Sequence, residues 1–363
     1  MKLIHCADIH LDSAMSAHLD YETAKRRRGE ILRTFVKMVD YAAAQGINAI
    51  LIAGDMFDTQ STRELTKNTV MNCIASNPAI AFFYIRGNHD DNNFIDNLDR
   101  VPNNLMLFGG SWSCYECGEI AIYGAELSDG ADSDLYQTLK PDPQKINIVM
   151  LHGQTSQSAE DGKWTVSLNK LRGLGIDYLA LGHIHSYTAG KLDGRGIWCY
   201  PGCLEGRGFD ECGEHGFVLL DIDEKAHSVS SRFIPFAQRG IFSVTADLSG
   251  CLTTAEMTAR AAEGLDRAGC ADSSLVRLTL TGELDADCEK DIAYIESAFA
   301  DRFYFFRTVD STRLKIPDDD YRLDESLKGE FIRTVGRDGT LSDQDRAAVI
   351  RYGLLALAGE EAD

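Results

Sequence analysis

"LALGHIHSY", residues 179–187, ends an apolar run on a glycine and then sets His183 and His185 one residue apart. Residues two apart on an extended backbone point to one side, and imidazole is the commonest neutral nitrogen ligand for metals. The pair reads either as the polar tail of a turn at Gly182 or as part of a metal site. The rest of the chain has to supply partners.

The same pattern, an apolar run closed by polar residues, recurs along the first half. "KLIHCADIH" (2–10) runs into Asp8 and His10, and "INAILIAGDMFD" (47–58) into Asp55. "AIAFFYIRGNHD" (79–90) runs into Asn88 and His89, "INIVMLHG" (146–153) into His152, and "IDYLALGHIH" (176–185) into the opening pair. Helical patterns at 21–45 and about 63–76 separate the first three runs. Strand–helix–strand alternation predicts an α/β sheet whose early strands are parallel. Ligand sites in such sheets form beyond the carboxyl ends of the strands, where all five clusters fall.

Five of the nine histidines, His10, His89, His152, His183 and His185, lie in these clusters with Asp8, Asp55 and Asn88. Any one of these histidines alone reads as well as a satisfied core or cap residue. Together, carboxylate, imidazole and amide groups suit manganese, iron or zinc. Asp8, His10, Asp55, Asn88, His152, His183 and His185 are too many ligands for one catalytic ion with an open position. They fit two ions sharing a carboxylate, an arrangement that clamps a phosphate and activates water.

The chain has 363 residues, 44% of them hydrophobic, enough for one large domain with appendages. The N-terminal residues show no secretory pattern and no run is long enough to span a membrane. Ten scattered cysteines read as reduced thiols, so the expected location is cytoplasmic. The net charge of −20 argues against affinity built on many phosphate contacts. The one dense basic run, "AKRRRGEILRTFVKMV" (24–39), reads as an amphipathic helix with Arg26, Arg27 and Arg28 on its solvated face.

"DIH", "GDMFD", "GNHD", "LHG" and "GHIH", in that order, resemble the signature of the calcineurin-like metallophosphoesterase superfamily over about the first 240 residues. The resemblance implies an α/β fold, a four-layer αββα core with a two-metal site, manganese being the family expectation and iron or zinc the alternatives. It implies one ion on Asp8, His10, Asp55 and His185, and a second on Asn88, His152 and His183 with Asp55 bridging. It makes His89 a proton donor to the leaving group and Asp90 its orienting partner. "DYLALGHIHSY" followed by "YPGCLEGRGFDECGEHGF" (200–217) resembles the SbcD and YhaO group of DNA repair exonucleases, which pair with an SbcC-type ATPase. That implies a metal-dependent DNA nuclease of double-strand-break repair, with DNA and the ATPase as partners and room for a homodimer.

Two residues depart from that pattern or stand beside it. Asp58 sits where some archaeal members carry a second catalytic histidine, and Arg86 gives "RGNHD", as in phosphatases whose arginine grips the phosphate. Arg86 and Arg207 are therefore the expected substrate contacts. The enzyme alternative is a phosphomonoesterase or small-molecule phosphodiesterase. A catalytically inactive scaffold is the alternative from another class, disfavoured by the intact ligand set.

The expected domains are 1–238, the phosphoesterase core; 239–312, an α+β cap; and 313–363, a helical tail. The tail carries apolar stripes at Leu327, Phe331 and Val335 and at Ile350, Leu354 and Leu357, with Ser342 and Asp345 resembling a capping box. Those stripes would dock on the cap or on the ATPase. Cys114 with Cys117 is a lone CxxC, and Cys199, Cys203, Cys212 and His215 read as buried groups rather than a zinc site.

Overall fold

The computed structural model describes residues 1–15, 19–58, 62–90, 101–127, 133–156, 164–285, 288–315 and 324–358. The chain divides into two compact units, 1–241 and 242–363.

The first unit begins with β1 (Lys2–Cys6), α1 (Tyr21–Ala44), β2 (Ala49–Ala53), α2 (Glu64–Ala75), β3 (Ala81–Ile85) and β4 (Leu105–Leu107). The Asp20 side chain accepts from the Thr23 N–H and so starts α1, whose buried face carries Ile31, Phe35, Met38 and Val39. Then come β5 (Ser113–Cys117), β6 (Ile120–Gly124), α3 (Ser133–Thr138), β7 (Ile146–His152), β8 (Gln154–Ser156), β9 (Thr165–Ser167) and α4 (Leu168–Leu171). β10 (Tyr178–Gly182), β11 (Thr188–Lys191), β12 (Ile197–Tyr200), β13 (Gly216–Asp223) and β14 (Ser228–Pro235) complete it.

These strands form two six-stranded sheets, ordered β14-β13-β1-β2-β3-β4 and β11-β12-β10-β7-β6-β5. β1, β2, β3 and β4 run parallel, as the alternation with helices requires, and so do β6, β7, β10 and β12. The sheets share one core: Leu3, Leu51, Phe83 and Val218 from the first pack with Ile122, Ile148, Met150 and Tyr178 from the second. Burial on both faces explains why the site-bearing strands read as mainly apolar runs rather than alternating ones. The outer face of the second sheet packs Val149, Leu151 and Leu179 against Tyr136, Leu168 and Leu171 of α3 and α4. Tyr41 of α1 lies against Phe217 of β13 on the first sheet. The fold is mixed α/β, as the sequence predicts.

Arg27 departs from its sequence reading. It is fully buried and not on a solvated face. It donates to Glu30 (2.6 Å), to Glu205 (2.9 Å) and to the Gly206 carbonyl (2.7 Å). Arg239 closes the cluster with two bonds to Glu30, at 2.9 and 2.7 Å.

The second unit contains β15 (Ile241–Asp247), α5 (Thr254–Ala268), β16 (Leu275–Thr281), β17 (Glu283–Leu284), α6 (Ile292–Ala300), β18 (Phe305–Asp310) and β19 (Arg313–Leu314). Its three-stranded sheet, β15-β16-β18, packs Leu278 and Leu280 against Met257, Leu265, Ile295 and Phe299. The unit ends in α7 (Leu327–Gly336) and α8 (Asp343–Ala358), whose Ile332, Val335, Ile350 and Leu354 form a separate small core. The tail stripes are thus mostly satisfied by each other, while Leu327 and Leu357 stay exposed. The acidic run at 318–320 lies outside the described residues.

Candidate metal centre

The five motif loops leave the carboxyl ends of β1, β2, β3, β7 and β10 and meet at one rim. Their backbones are tightly wound. Asp8, His10, Asp55 and His183 all have positive φ, at 50°, 48°, 51° and 106°. Such conformations cost about 1–3 kcal/mol each and persist where the surroundings over-determine them. The loops hold one another: Asp8 N–H donates to the Gly54 carbonyl (3.1 Å) and His10 N–H to that of Asp55 (3.0 Å). Glycine makes the approach possible at Gly182, where a Cβ would lie 1.8 Å from the Ala53 oxygen and 2.8 Å from His152 Nδ1.

The donor atoms fall into two nests. In one, His10 Nε2 and His185 Nε2 face each other at 3.2 Å, and His185 Nε2 lies 3.9 Å from Asp8 Oδ1. In the other, Asn88 Oδ1 lies 3.0 Å from both His152 Nε2 and His183 Nδ1. Asp55 Oδ2 stands between them, 3.8 Å from His10 Nε2 and 3.4 Å from His152 Nε2. Asp55 Oδ1 is held separately by the His89 N–H at 2.8 Å.

The donor set fits divalent cations. His152 Nδ1 donates to the Ala53 carbonyl at 2.9 Å, so in the neutral ring the Nε2 lone pair faces the Asn88 oxygen, another acceptor. Two nitrogens each about 2.1 Å from one ion would stand roughly 3 Å apart, close to the His10–His185 spacing. His10 Nδ1 is buried without a hydrogen-bond partner. Burial pushes the Asp8 carboxyl up to about 6 and the His10 imidazole down to about 3. Burial also opposes the charges of Asp55 and His152, but their hydrogen bond and attraction win, lowering Asp55 and raising His152. Without an ion, a proton on His152 offsets the buried Asp55 charge, the part a divalent cation would take over on displacing it.

His89 lies at the edge, half-exposed, with Nδ1 3.2 Å from Asp58 Oδ1. That hydrogen bond raises the His89 pKa above its ordinary value. Asp90, the partner expected from the motif, is elsewhere. Its carboxylate accepts the Phe57 N–H at 2.9 Å and the Gly87 N–H at 2.8 Å, bracing the loop. Adjacent residues on a tight turn point apart, and Asp58 comes from the neighbouring loop.

The two arginines assigned to substrate are also committed within the protein. Arg86 makes a bidentate pair with Glu126, Nε at 2.8 Å and Nη2 at 2.6 Å. Arg207 donates from Nε (3.0 Å) and Nη2 (2.6 Å) to Glu211 Oε1. Glu211 Oε1 in turn lies 2.7 Å from His185 Nδ1. Glu211 lies in the 200–217 stretch that resembles the DNA repair group; its own signal was a carboxylate 26 residues past a candidate ligand histidine, too distant for a spacing rule. The cysteines are free thiols, and among the described residues none joins a metal-competent group. Cys203 lies 3.2 Å from His215 Nδ1.

With two facing sheets, a rim of strand-end loops and paired nests of oxygen and nitrogen donors, the class is that of metal-dependent phosphoesterases. Residues 1–187 match the calcineurin-like phosphoesterase family, and the chain belongs to it. It is 27% identical over 241 residues to the uncharacterized metallophosphoesterase YhaO of Bacillus subtilis, covering 61% of this chain and 57% of that one. It is 26% identical over 216 residues to the DNA double-strand break repair protein Mre11 of Sulfolobus acidocaldarius, covering 53% of this chain and 52% of that one. The matches therefore span little more than half the length of these relatives. Among solved structures it is similar to TT1561 of Thermus thermophilus, with TM-score 0.40 and 13% identity over 64% of this chain and 98% of that one. Among the described residues no helix is long and apolar enough to cross a membrane.

Proposed function

We propose that the chain is a two-metal phosphodiesterase acting on DNA, with Asp8, His10, Asp55 and His185 holding one ion and Asp55, Asn88, His152 and His183 the other. The observation that carries this reading is the position of Asp55 Oδ2, 3.4 Å from a nitrogen of one nest and 3.8 Å from a nitrogen of the other. Two divalent ions bound there would act as Lewis acids toward a phosphoryl group and water. The protein's own part is to position and to move protons. The backbone N–H of His89 fixes the Asp55 carboxylate, and the half-exposed His89 ring offers a proton to the departing oxygen. Asp58 holds that ring in place. Asp90 keeps the loop wound through the Phe57 and Gly87 amides.

DNA as the substrate draws its support from the Mre11 relatives, whose name states their role in double-strand break repair. A chain of net charge −20 is poorly equipped to hold a polyanion alone. The proposal therefore includes a partner ATPase that supplies most of the DNA affinity and docks on the α7–α8 segment, where Leu327 and Leu357 remain exposed. Manganese is the proposed ion. The second reading is a small phosphoester substrate, supported by the same negative charge. One comparison tests both: hydrolysis of linear duplex DNA, a phosphodiester dye and a phosphomonoester dye with added manganese. DNA and diester cleavage are expected. Cleavage of the monoester alone would overturn the diesterase reading.

A further inference from the structure

The stretch 203–215 supplies no metal ligand in the proposed function, yet it is built around the site. Glu211 is buried, and its Oε1 lies 2.7 Å from Nδ1 of His185. An ionised carboxylate can only accept, and its 2.7 Å contact is shorter than the 3.1 Å approach of the Arg207 Nη2 donor to the same nitrogen, so the pairing favours the imidazole proton on Nδ1. Its other oxygen accepts the Arg207 N–H at 2.7 Å, while the Arg207 side chain grips Oε1 through Nε and Nη2. The loop is anchored from behind, since His215 Nε2 lies 2.8 Å from the Glu211 carbonyl. Arg207 Nη1 stands 3.8 Å from Asp58 Oδ2, and Asp58 is the carboxylate that holds His89. A continuous path of charged contacts thus links His185 at one end to His89 at the other.

We propose that Glu211 and Arg207 are positioning residues. Glu211 commits the Nε2 lone pair of His185 to the face shared with His10 and Asp8, and Arg207 fixes Glu211 while bracing Asp58. This rests on the two-ion reading for its consequence, metal affinity, but not for its premise, the His185 tautomer. Carboxylates behind ligand imidazoles fix tautomer and ring orientation, and their loss typically weakens metal binding about 10–100-fold. This pairing occupies the Nε–Nη2 edge of Arg207 and leaves Nη1 for the substrate contact expected of it.

The test uses the full chain with 15N-labelled histidine, freed of metal. Long-range proton–nitrogen spectra, with His185 assigned by its loss in His185→Gln, read the tautomer directly. The wild type is expected as the Nδ1–H form. Removing one charge alone would strand the other, so the main variant is the apolar pair Glu211→Leu/Arg207→Met. It should release His185 to a tautomer mixture and weaken one manganese-binding event about 10–100-fold by calorimetry. Glu211→Gln keeps an acceptor at this position and should retain the Nδ1–H form, which a purely structural role for the loop does not require. An unchanged tautomer with unchanged manganese affinity in the double variant would overturn the clamp. If the wild type takes up no manganese while the tautomer still switches in the variant, the two-ion reading falls and the clamp stands.

Discussion

Replacing Glu205 by alanine should destabilise the first unit while removing none of the proposed metal ligands. Glu205 is fully buried and takes charge-assisted bonds from Arg27 (2.9 Å) and the Thr34 hydroxyl (2.8 Å), and also from the Gln238 N–H. Two arginines, Arg27 and Arg239, face two glutamates, Glu30 and Glu205. Without Glu205 the cluster keeps an uncompensated positive charge in the interior. Breaking such a pair from one side costs about 3–5 kcal/mol. A domain of this size shifts by roughly 2–4 °C per kcal/mol, so its Tm should fall about 6–20 °C. All three tryptophans, Trp112, Trp164 and Trp198, lie within 1–241, so their fluorescence during a urea or thermal melt reports this unit alone. The double variant Arg27→Met/Glu205→Leu removes both charges and should recover most of the loss. A single-variant cost below about 1 kcal/mol, the scale of an exposed pair, would refute the assignment of a buried, interdependent cluster.

Acid should act on the same cluster. Burial raises the Glu30 pKa, but its bonds to Arg239 and Arg27 outweigh this and hold it below its ordinary 4.5. Its stabilising contribution is therefore full above 4.5 and lost as pH falls below it; in Glu30→Gln, melts across pH 3–6 should show a smaller acid loss than in the wild type. His89→Gln is expected to keep both ions by metal analysis while turnover drops about 10²–10⁴-fold; loss of metal instead would place His89 among the ligands. Gly182→Ala puts a methyl 1.8 Å from the Ala53 oxygen, which must part β10 from β2 and displace His152, so metal content should fall along with stability; a wild-type metal content would contradict the packing.

The parts that were legible in the sequence are those written locally. Each site-bearing strand is buried on both faces and reads as a mainly apolar run, interrupted by His5 in β1 and Asn147 in β7, so its end and the polar residues beyond it stand out. Asp8, Asp55, His152 and His183 could be found in this way because strand ends converge on one rim in any parallel sheet. Residues whose role depends on a distant partner were not legible. Arg27 sits in a run of three arginines and looks solvated until Glu205, 178 residues later, closes over it. Arg86 looked available to grip phosphate because Glu126 is 40 residues away. Asp90 stood next to His89 in sequence, but the turn that winds the loop points its carboxylate at backbone amides and leaves His89 to Asp58. Local motif order carries the candidate donor set, whereas orientation and charge pairing are settled by tertiary contact.

The central claim is that Asp55 serves two ions at once. The direct measurement is metal stoichiometry of the wild type and Asp55→Asn after manganese loading and desalting, read by elemental analysis beside the Trp-fluorescence melt that confirms folding. The account predicts two ions per wild-type chain, and in the variant the loss of both, because one carboxylate oxygen lies beside a nitrogen of each nest, at 3.4 and 3.8 Å. A folded Asp55→Asn protein that still retains two ions, or a wild type that holds only one, would contradict it.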